Sequence, residues 1–266
     1  MGILGESSAT QATDFLTDRT ASDVSGSRWR IATVHSVREE SPRVKLFRLT
    51  LPDHRPFRAG QYYDVRLTAP DGYQAQRSYS ISSSPSEQGI VELLIEHIEG
   101  GEVSSYFHEE IEPGERIELR GPIGGHFTWT PEYTDPVLLI GGGSGIAPLM
   151  SLIRQRNSHQ MHSPCLLMFS ARTQQDILFR KDLEQFAANN PEFTMVITLT
   201  RETGPGWAGD SGRIDRNMID QAISAVGVRP ARSYVCGGTG FVESIASTLM
   251  EIGMKYGDIR TERFGP

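Results

Sequence analysis

The sequence predicts two domains of different class: a six-stranded antiparallel β-barrel over residues 28–130, then a parallel α/β sheet over 136–266. Three observations predict it. Six short strand-like runs follow one another after Trp29, each bounded by turn residues, which is the grammar of a small antiparallel barrel. After Pro136 short apolar runs alternate with helical ones, which is βαβ grammar and implies a parallel sheet covered by helices on both faces. Between the first such run and its helix lies a glycine-rich turn, Gly141 to Gly145, of the kind that brings backbone against a phosphate. At 266 residues the chain can bury two cores of ordinary size.

Taken in order, residues 1–27 are rich in Ser, Thr, Asp and Ala without apolar period and are expected to be a disordered tail. The barrel strands are expected at Ile31–Val37, Val44–Leu51, Tyr62–Leu67, Gln76–Ile81, Val91–Ile98 and Arg116–Arg120. Ser41-Pro42, Pro70-Asp71-Gly72, Pro113-Gly114 and Gly121-Pro122 are read as the turns, and Val103–Glu109 as a helix. Thr128–Asp135 is expected to be a linker. The second domain places strands at Val137–Ile140, Cys165–Phe169, Thr194–Thr200 and Tyr234–Cys236, with helices at 146–156, 179–188, 215–224 and 240–252.

Composition narrows the function classes. With 38% hydrophobic and 22% charged residues the chain is globular, and no apolar run approaches the roughly 18 residues of a membrane helix. The N-terminus lacks the basic-then-apolar order of a secretory signal. Both cysteines, Cys165 and Cys236, lie in apolar strand-like runs, which argues for a reducing, cytoplasmic setting and against a cysteine-held iron–sulfur cluster. Net charge is −7 with no Lys/Arg stripe, so nucleic acid is not an expected partner. His159 and His162 lack a third ligand in view, so no metal site is expected.

The chemistry-bearing strand is Arg77-Ser78-Tyr79-Ser80. Side chains at i and i+2 share a face of a strand, so Arg77 and Tyr79 project together, with Ser80 on the other side or at the strand's end. A guanidinium fork matches a diphosphate, a phenol ring stacks on a flat heterocycle, and a hydroxyl serves a ring nitrogen. These are the groups a flavin dinucleotide needs, although an edge strand with a surface Arg and a half-buried Tyr reads the same way. In the second domain Gly143, Ser144, Gly145, Ala147 and Pro148 form the phosphate turn and the first turn of its helix. The turn is neither a P-loop nor a nucleophile elbow, since no Gly-Lys-Ser/Thr follows and Ile146 replaces the last glycine. Ser170 and Arg172 end the next strand, where an acidic residue would hold a ribose 2′-hydroxyl and an arginine accommodates a 2′-phosphate. They favour NADP(H) and leave NAD(H) open, with Arg180 and Arg201 as further charge.

In this order the motifs resemble the ferredoxin–NADP⁺ reductase-like flavoenzymes, from about residue 28 to the end: Arg77-x-Tyr79-Ser80, Gly101-x-x-Ser104, Gly121-Pro122-x-Gly124, Gly141 to Pro148, Tyr234-Val235-Cys236-Gly237-Gly238 and a short tail Glu262-Arg263-Phe264. The resemblance implies FAD in the barrel domain and NADP(H) in the other. It implies Arg77 on the FAD pyrophosphate, Tyr79 on the isoalloxazine and Ser80 near flavin N5, with Ser78 and Glu96 in the same binding set. Gly101, Glu102, Val103 and Ser104 would hold the pyrophosphate. Cys236 and Gly237 would sit by the nicotinamide, and Glu262 and Phe264 near the flavin's other face. Ser80, Cys236 and Glu262 are thus the expected catalytic set. Read without the resemblance, Cys236 is a core cysteine and 262–264 a frayed charged tail.

Fused iron–sulfur or globin domains found in some relatives are not in this sequence, so the expected protein is a stand-alone, monomeric two-domain reductase. Its one-electron acceptor would be a separate ferredoxin, haem protein or metalloenzyme component. Two other readings remain: a diffusible flavin reductase or diaphorase without a protein partner, and an electron-transfer subunit of a larger complex. A nucleotide sensor without catalysis fits the intact set Tyr79, Ser80, Cys236 and Glu262 less well.

Overall fold

A computed structural model describes residues 28–201 and 206–265. The tail expected at 1–27 lies outside them. The first half is built from β1 (Arg30–Ser41), β2 (Val44–Thr50), β3 (Tyr62–Thr68), β4 (Gln74–Ser80), β5 (Ile90–Glu96) and β6 (Arg116–Ile123), with helix α1 (Glu102–Glu109) between the last two. The strands form one antiparallel sheet in the order β4-β3-β6-β1-β2-β5. An antiparallel bridge between Ile81 and Leu93 joins its two ends into the expected barrel. Alternating buried residues such as Ala32, Val34, Phe47, Leu49, Val91 and Leu93 fill the interior, as the two-residue period of a strand requires.

The second half carries β7 (Val137–Gly142), α2 (Ile146–Ser158), β8 (Cys165–Ala171), α3 (Arg180–Asn189), β9 (Phe193–Leu199), β10 (Asp210–Ser211), α4 (Arg216–Val226), β11 (Arg232–Gly238), α5 (Thr239–Glu251) and β12 (Ile259–Phe264). The sheet is parallel throughout, in the order β10-β9-β8-β7-β11-β12. Its order reverses at β7, which places a crevice at the carboxyl ends of β7 and β11.

The structure corrects three expectations. Residues 262–264 are not a tail. They end β12, paired along its whole length with β11 from Ser233↔Ile259 to Gly238↔Phe264. Gly121-Pro122 is not a turn after β6 but lies inside it, where the register with β3 shifts between Tyr62 and Asp64. The 128–135 stretch is not a bare linker: Trp129 is buried and bridges Ala59, and the Tyr234 hydroxyl donates to the Thr128 carbonyl.

The core does not stop at the domain boundary. One apolar cluster takes Val44, Leu46 and Leu94 from the barrel together with Ile146, Met150, Phe169 and Cys236 from the sheet. Among the described residues no helix is long and apolar enough to cross a membrane.

Candidate active site

A cleft of about 1290 Å³ runs between the two sheets, lined from β4 and the α1 turn on one side and from β7, β8 and β12 on the other. Of the residues singled out in the sequence, Arg77, Tyr79, Ser80, Glu96, Gly101, Ser104, Gly143, Ser144, Ala147, Ser170, Arg172, Glu262 and Phe264 all reach it, as do Ser78 and Val103.

The barrel wall is set by β4. Its register pairs Tyr62 with Ser80 and Tyr63 with Tyr79, so Arg77 and Tyr79 share a face and Ser80 closes the strand. Tyr79 leans against Phe107 of α1, ring centroids 6.3 Å apart. Burial pushes its phenol up to about 12, so it remains neutral and stacks as a ring. Arg77 stays exposed at the cleft, donating to the Gln76 carbonyl at 2.8 Å. The Ser78 hydroxyl donates to Asp64 at 2.6 Å, on the face away from Tyr79, so its side chain is committed to the barrel.

Ser80 and Glu262, 182 residues apart, meet here: the Ser80 hydroxyl donates to Glu262 Oε1 at 2.7 Å. Burial raises the Glu262 pKa above the usual carboxylate range, opposed by the Ser80 hydrogen bond. Glu262 sits opposite Cys236 in the β11–β12 register. Cys236 is fully buried and lies behind the cleft lining. Burial, then the Glu262 charge, pushes its thiol well above the ordinary value, against a hydrogen bond from the Gly237 backbone. It therefore stays a thiol at neutral pH and is no thiolate nucleophile.

The glycine turn explains itself by space. A Cβ on Gly145 would stand 2.3 Å from the Cys236 carbonyl oxygen, so this turn packs directly on the end of β11 and only glycine fits. Gly143 takes a φ of +54° with open space around it, as a phosphate cradle needs. The Ser144 hydroxyl donates across the cleft to Glu96 of β5 at 2.8 Å. Pro148 is buried in the first turn of α2, and Gly237 packs on Phe241; neither lines the cleft.

On the α1 side, Gly101 is the helix N-cap without a side-chain partner. The Ser104 hydroxyl accepts from the Ile98 amide at 3.1 Å and donates to the Gly101 carbonyl at 3.2 Å, bracing the turn from within. Glu102 faces elsewhere: its carboxylate accepts from the Tyr73 hydroxyl at 2.9 Å, outside the cleft lining. Arg180 is likewise not brought in. It opens α3 after the left-handed residue Phe179, and its guanidinium pairs with Glu184 at 2.8 Å. Arg172 remains, and its carbonyl accepts from the Arg201 amide at 2.9 Å.

Sequence reasoning missed several lining residues. Phe241 packs on Gly142 and Gly237, and its signal was an aromatic just after the paired glycines 237 and 238. Asp176 also lines the cleft, its carboxylate held by the Thr173 hydroxyl at 2.8 Å, as does Thr200, the residue after β9, whose amide donates to the Ala171 carbonyl at 3.0 Å. Neither gave a signal beyond its place in the connection after a strand.

The residues present fit two nucleotides. The cleft has volume for both, a neutral stacking ring and an exposed guanidinium line one wall, and an open glycine cradle at a helix start lines the other.

Comparison with known proteins agrees with this division. The family model for an oxidoreductase FAD-binding domain matches residues 31–129. That for an oxidoreductase NAD-binding domain matches residues 139–247. Ferredoxin–NADP reductase B of Sorangium cellulosum is 30% identical over 239 residues, which are 88% of this chain and 96% of that protein. The reductase component of the Pseudomonas putida naphthalene 1,2-dioxygenase system is 29% identical over 234 residues, 88% of this chain and 68% of that one. Other relatives are longer, and the chain spans between 56% and 65% of their length. Among solved structures, a ferredoxin NADP⁺ reductase from Neisseria gonorrhoeae with bound FAD and NADP superposes with a TM-score of 0.75 at 24% identity, covering 89% of this chain and 99% of that one. Similarity that runs through both halves in this order, and across nearly the whole of a ferredoxin–NADP reductase, means that the chain belongs to the ferredoxin–NADP⁺ reductase-like family of FAD- and NAD(P)-binding oxidoreductases.

Proposed function

We propose that the protein oxidises NADPH with FAD and passes the electrons singly to a separate redox protein, such as a ferredoxin, a haem protein or an oxygenase component, acting as a cytoplasmic monomer. Bound FAD would supply the chemistry that no side chain can, taking two electrons as hydride and releasing them one at a time. The observation that carries the reading is the Ser80–Glu262 hydrogen bond, which brings a hydroxyl of the flavin-side strand and a half-buried carboxyl of the nicotinamide-side sheet to one point of the cleft wall.

The chain's own residues have distinct tasks. Arg77 and the Gly101 turn hold a diphosphate on the barrel side, and Tyr79 presents its neutral ring to a flat heterocycle. Gly143, Ser144 and Ala147 hold the second diphosphate at the start of α2. Ser170 and Arg172 take the 2′-phosphate. Ser80 Oγ donates to Glu262 Oε1, and burial raises the Glu262 pKa above the usual carboxylate range at that edge. Cys236, kept a thiol by burial, backs the cleft wall beneath Gly145.

The test is an anaerobic titration of purified protein with NADPH, followed by addition of candidate acceptors. The flavin absorbance is expected to bleach and then to return on adding a one-electron protein acceptor. A yellow protein that NADPH leaves unbleached would refute the assignment. Return of colour with free flavins or quinones, and with no protein, would favour the diaphorase reading instead. Glu262→Gln is expected to slow flavin reduction on the order of 10²-fold with FAD still bound, the low end of what a positioned acid–base group contributes.

A further inference from the structure

Helix α2 does more than start at the phosphate turn. Six residues beyond that turn it is fastened to the barrel, immediately behind the flavin-side strand. The Ser151 hydroxyl donates to the Ser83 carbonyl at 2.7 Å. One turn on, Arg154 Nη1 donates to the Ser82 carbonyl at 2.9 Å and to Glu92 Oε2 at 2.5 Å, while its Nη2 reaches Asp182 at 2.9 Å. Ser82 and Ser83 are fully buried and themselves tied to β5: the Ser82 amide donates to the Glu92 carbonyl, and the Ser83 hydroxyl accepts from the Glu92 amide. Arg154 also lies 5.3 Å over the ring of Phe179, whose left-handed φ of 53° is stabilised by its amide donating to Glu40 of β1 at 2.9 Å.

We infer that Arg154 and Ser151 are positioning residues for the proposed hydride transfer, setting how the two nucleotide-binding walls face each other by pinning α2 to the backbone two residues beyond Ser80. The path is short and stiff. A helix of 13 residues starts after Gly145 and runs through Ser151 and Arg154, which reach Ser83 and Ser82, respectively, by one hydrogen bond each. Neither side chain lines the cleft, so neither can contact a nucleotide there. A planar five-donor fork can serve the Ser82 carbonyl, Glu92 and Asp182 together, whereas a lysine offers one point charge. Alignment matters here because a misplacement of about 1 Å can cost 10²-fold in rate.

The inference rests on the proposed NADPH-to-FAD reading, and its experiment has one arm independent of that reading. In the first arm, Ser151→Ala and Arg154→Lys are reduced anaerobically with NADPH in single-turnover mixing, with Arg154→Met as the severe case. The expected result is a limiting reduction rate lowered about 10- to 100-fold, with the NADPH dissociation constant and FAD retention within about threefold of the parent. In the second arm, amide hydrogen exchange is followed without NADPH, and residues 81–84 are expected to exchange faster in each variant. Wild-type reduction rates in Ser151→Ala and Arg154→Lys would overturn the inference, whether or not Arg154→Met folds. So would a loss confined to NADPH affinity, or unchanged exchange at 81–84. If the unsubstituted protein is not bleached by NADPH, the proposed function fails, while the exchange arm still reports on the brace.

Discussion

A half-buried carboxyl carries a desolvation cost that its function must outweigh. The Glu262 pKa is raised by burial, so the folded state binds its proton more tightly than the unfolded state does. The linkage sign follows: its contribution to stability is fully present below the unfolded value of about 4.5 and is lost as pH rises through the higher folded value. Glu262→Gln is therefore expected to melt at a higher temperature than the parent at pH 8, with the gap closing towards pH 4.5, read by thermal denaturation across pH. A second expectation at this scale concerns Arg172. If it holds the 2′-phosphate as proposed, replacing it with Asp removes a charge-assisted bond worth about 1.5–3 kcal/mol, so the NADPH/NADH ratio of kcat/KM should fall roughly 10- to 100-fold. An unchanged ratio in steady-state assays would move the selectivity to other residues. Arg77, Tyr79 and Ser80 were legible because the two-residue period of a strand fixes which side chains share a face. Arg180 misled because the helix that it opens turns its guanidinium to Glu184 on the same helix, not to the cleft.

Among elements, the glycine turn and its helix are the most constrained. Gly145→Ala would drive a methyl into the Cys236 carbonyl. Such overpacking costs typically about 1–3 kcal/mol, so a lower denaturant midpoint and weaker NADPH binding are expected together. A midpoint equal to the parent's would show that β11 yields at no cost. The βαβ alternation was legible because each parallel strand, buried on both faces, is a continuous apolar run. The final strand was not. Arg-Thr-Glu-Arg between Ile259 and Phe264 has no such run, and it becomes a strand only because the edge of β11 offers a full row of backbone partners. Trp129 was hidden for a related reason: its burial depends on Ala59 and on the opposite domain, neither of which is near in sequence.

For the molecule as a whole, the apolar cluster shared by Val44, Leu46 and Leu94 with Ile146 and Met150, together with the Arg154 brace, joins the domains into one cooperative body. Calorimetric unfolding is accordingly expected as a single transition with matching calorimetric and van't Hoff enthalpies. Two resolved transitions would show that the shared core is too weak to couple the halves. Two family models, each covering one half, give the impression of exchangeable modules. The shared core has the opposite consequence. Cut apart, each half would turn an apolar face to water and become prone to self-association, and a chimera taking its nucleotide half from a relative would inherit a mismatched seam. Variation in this chain is thus freest on the outer faces and the loop ends, and least free along the surface where neither half is complete alone.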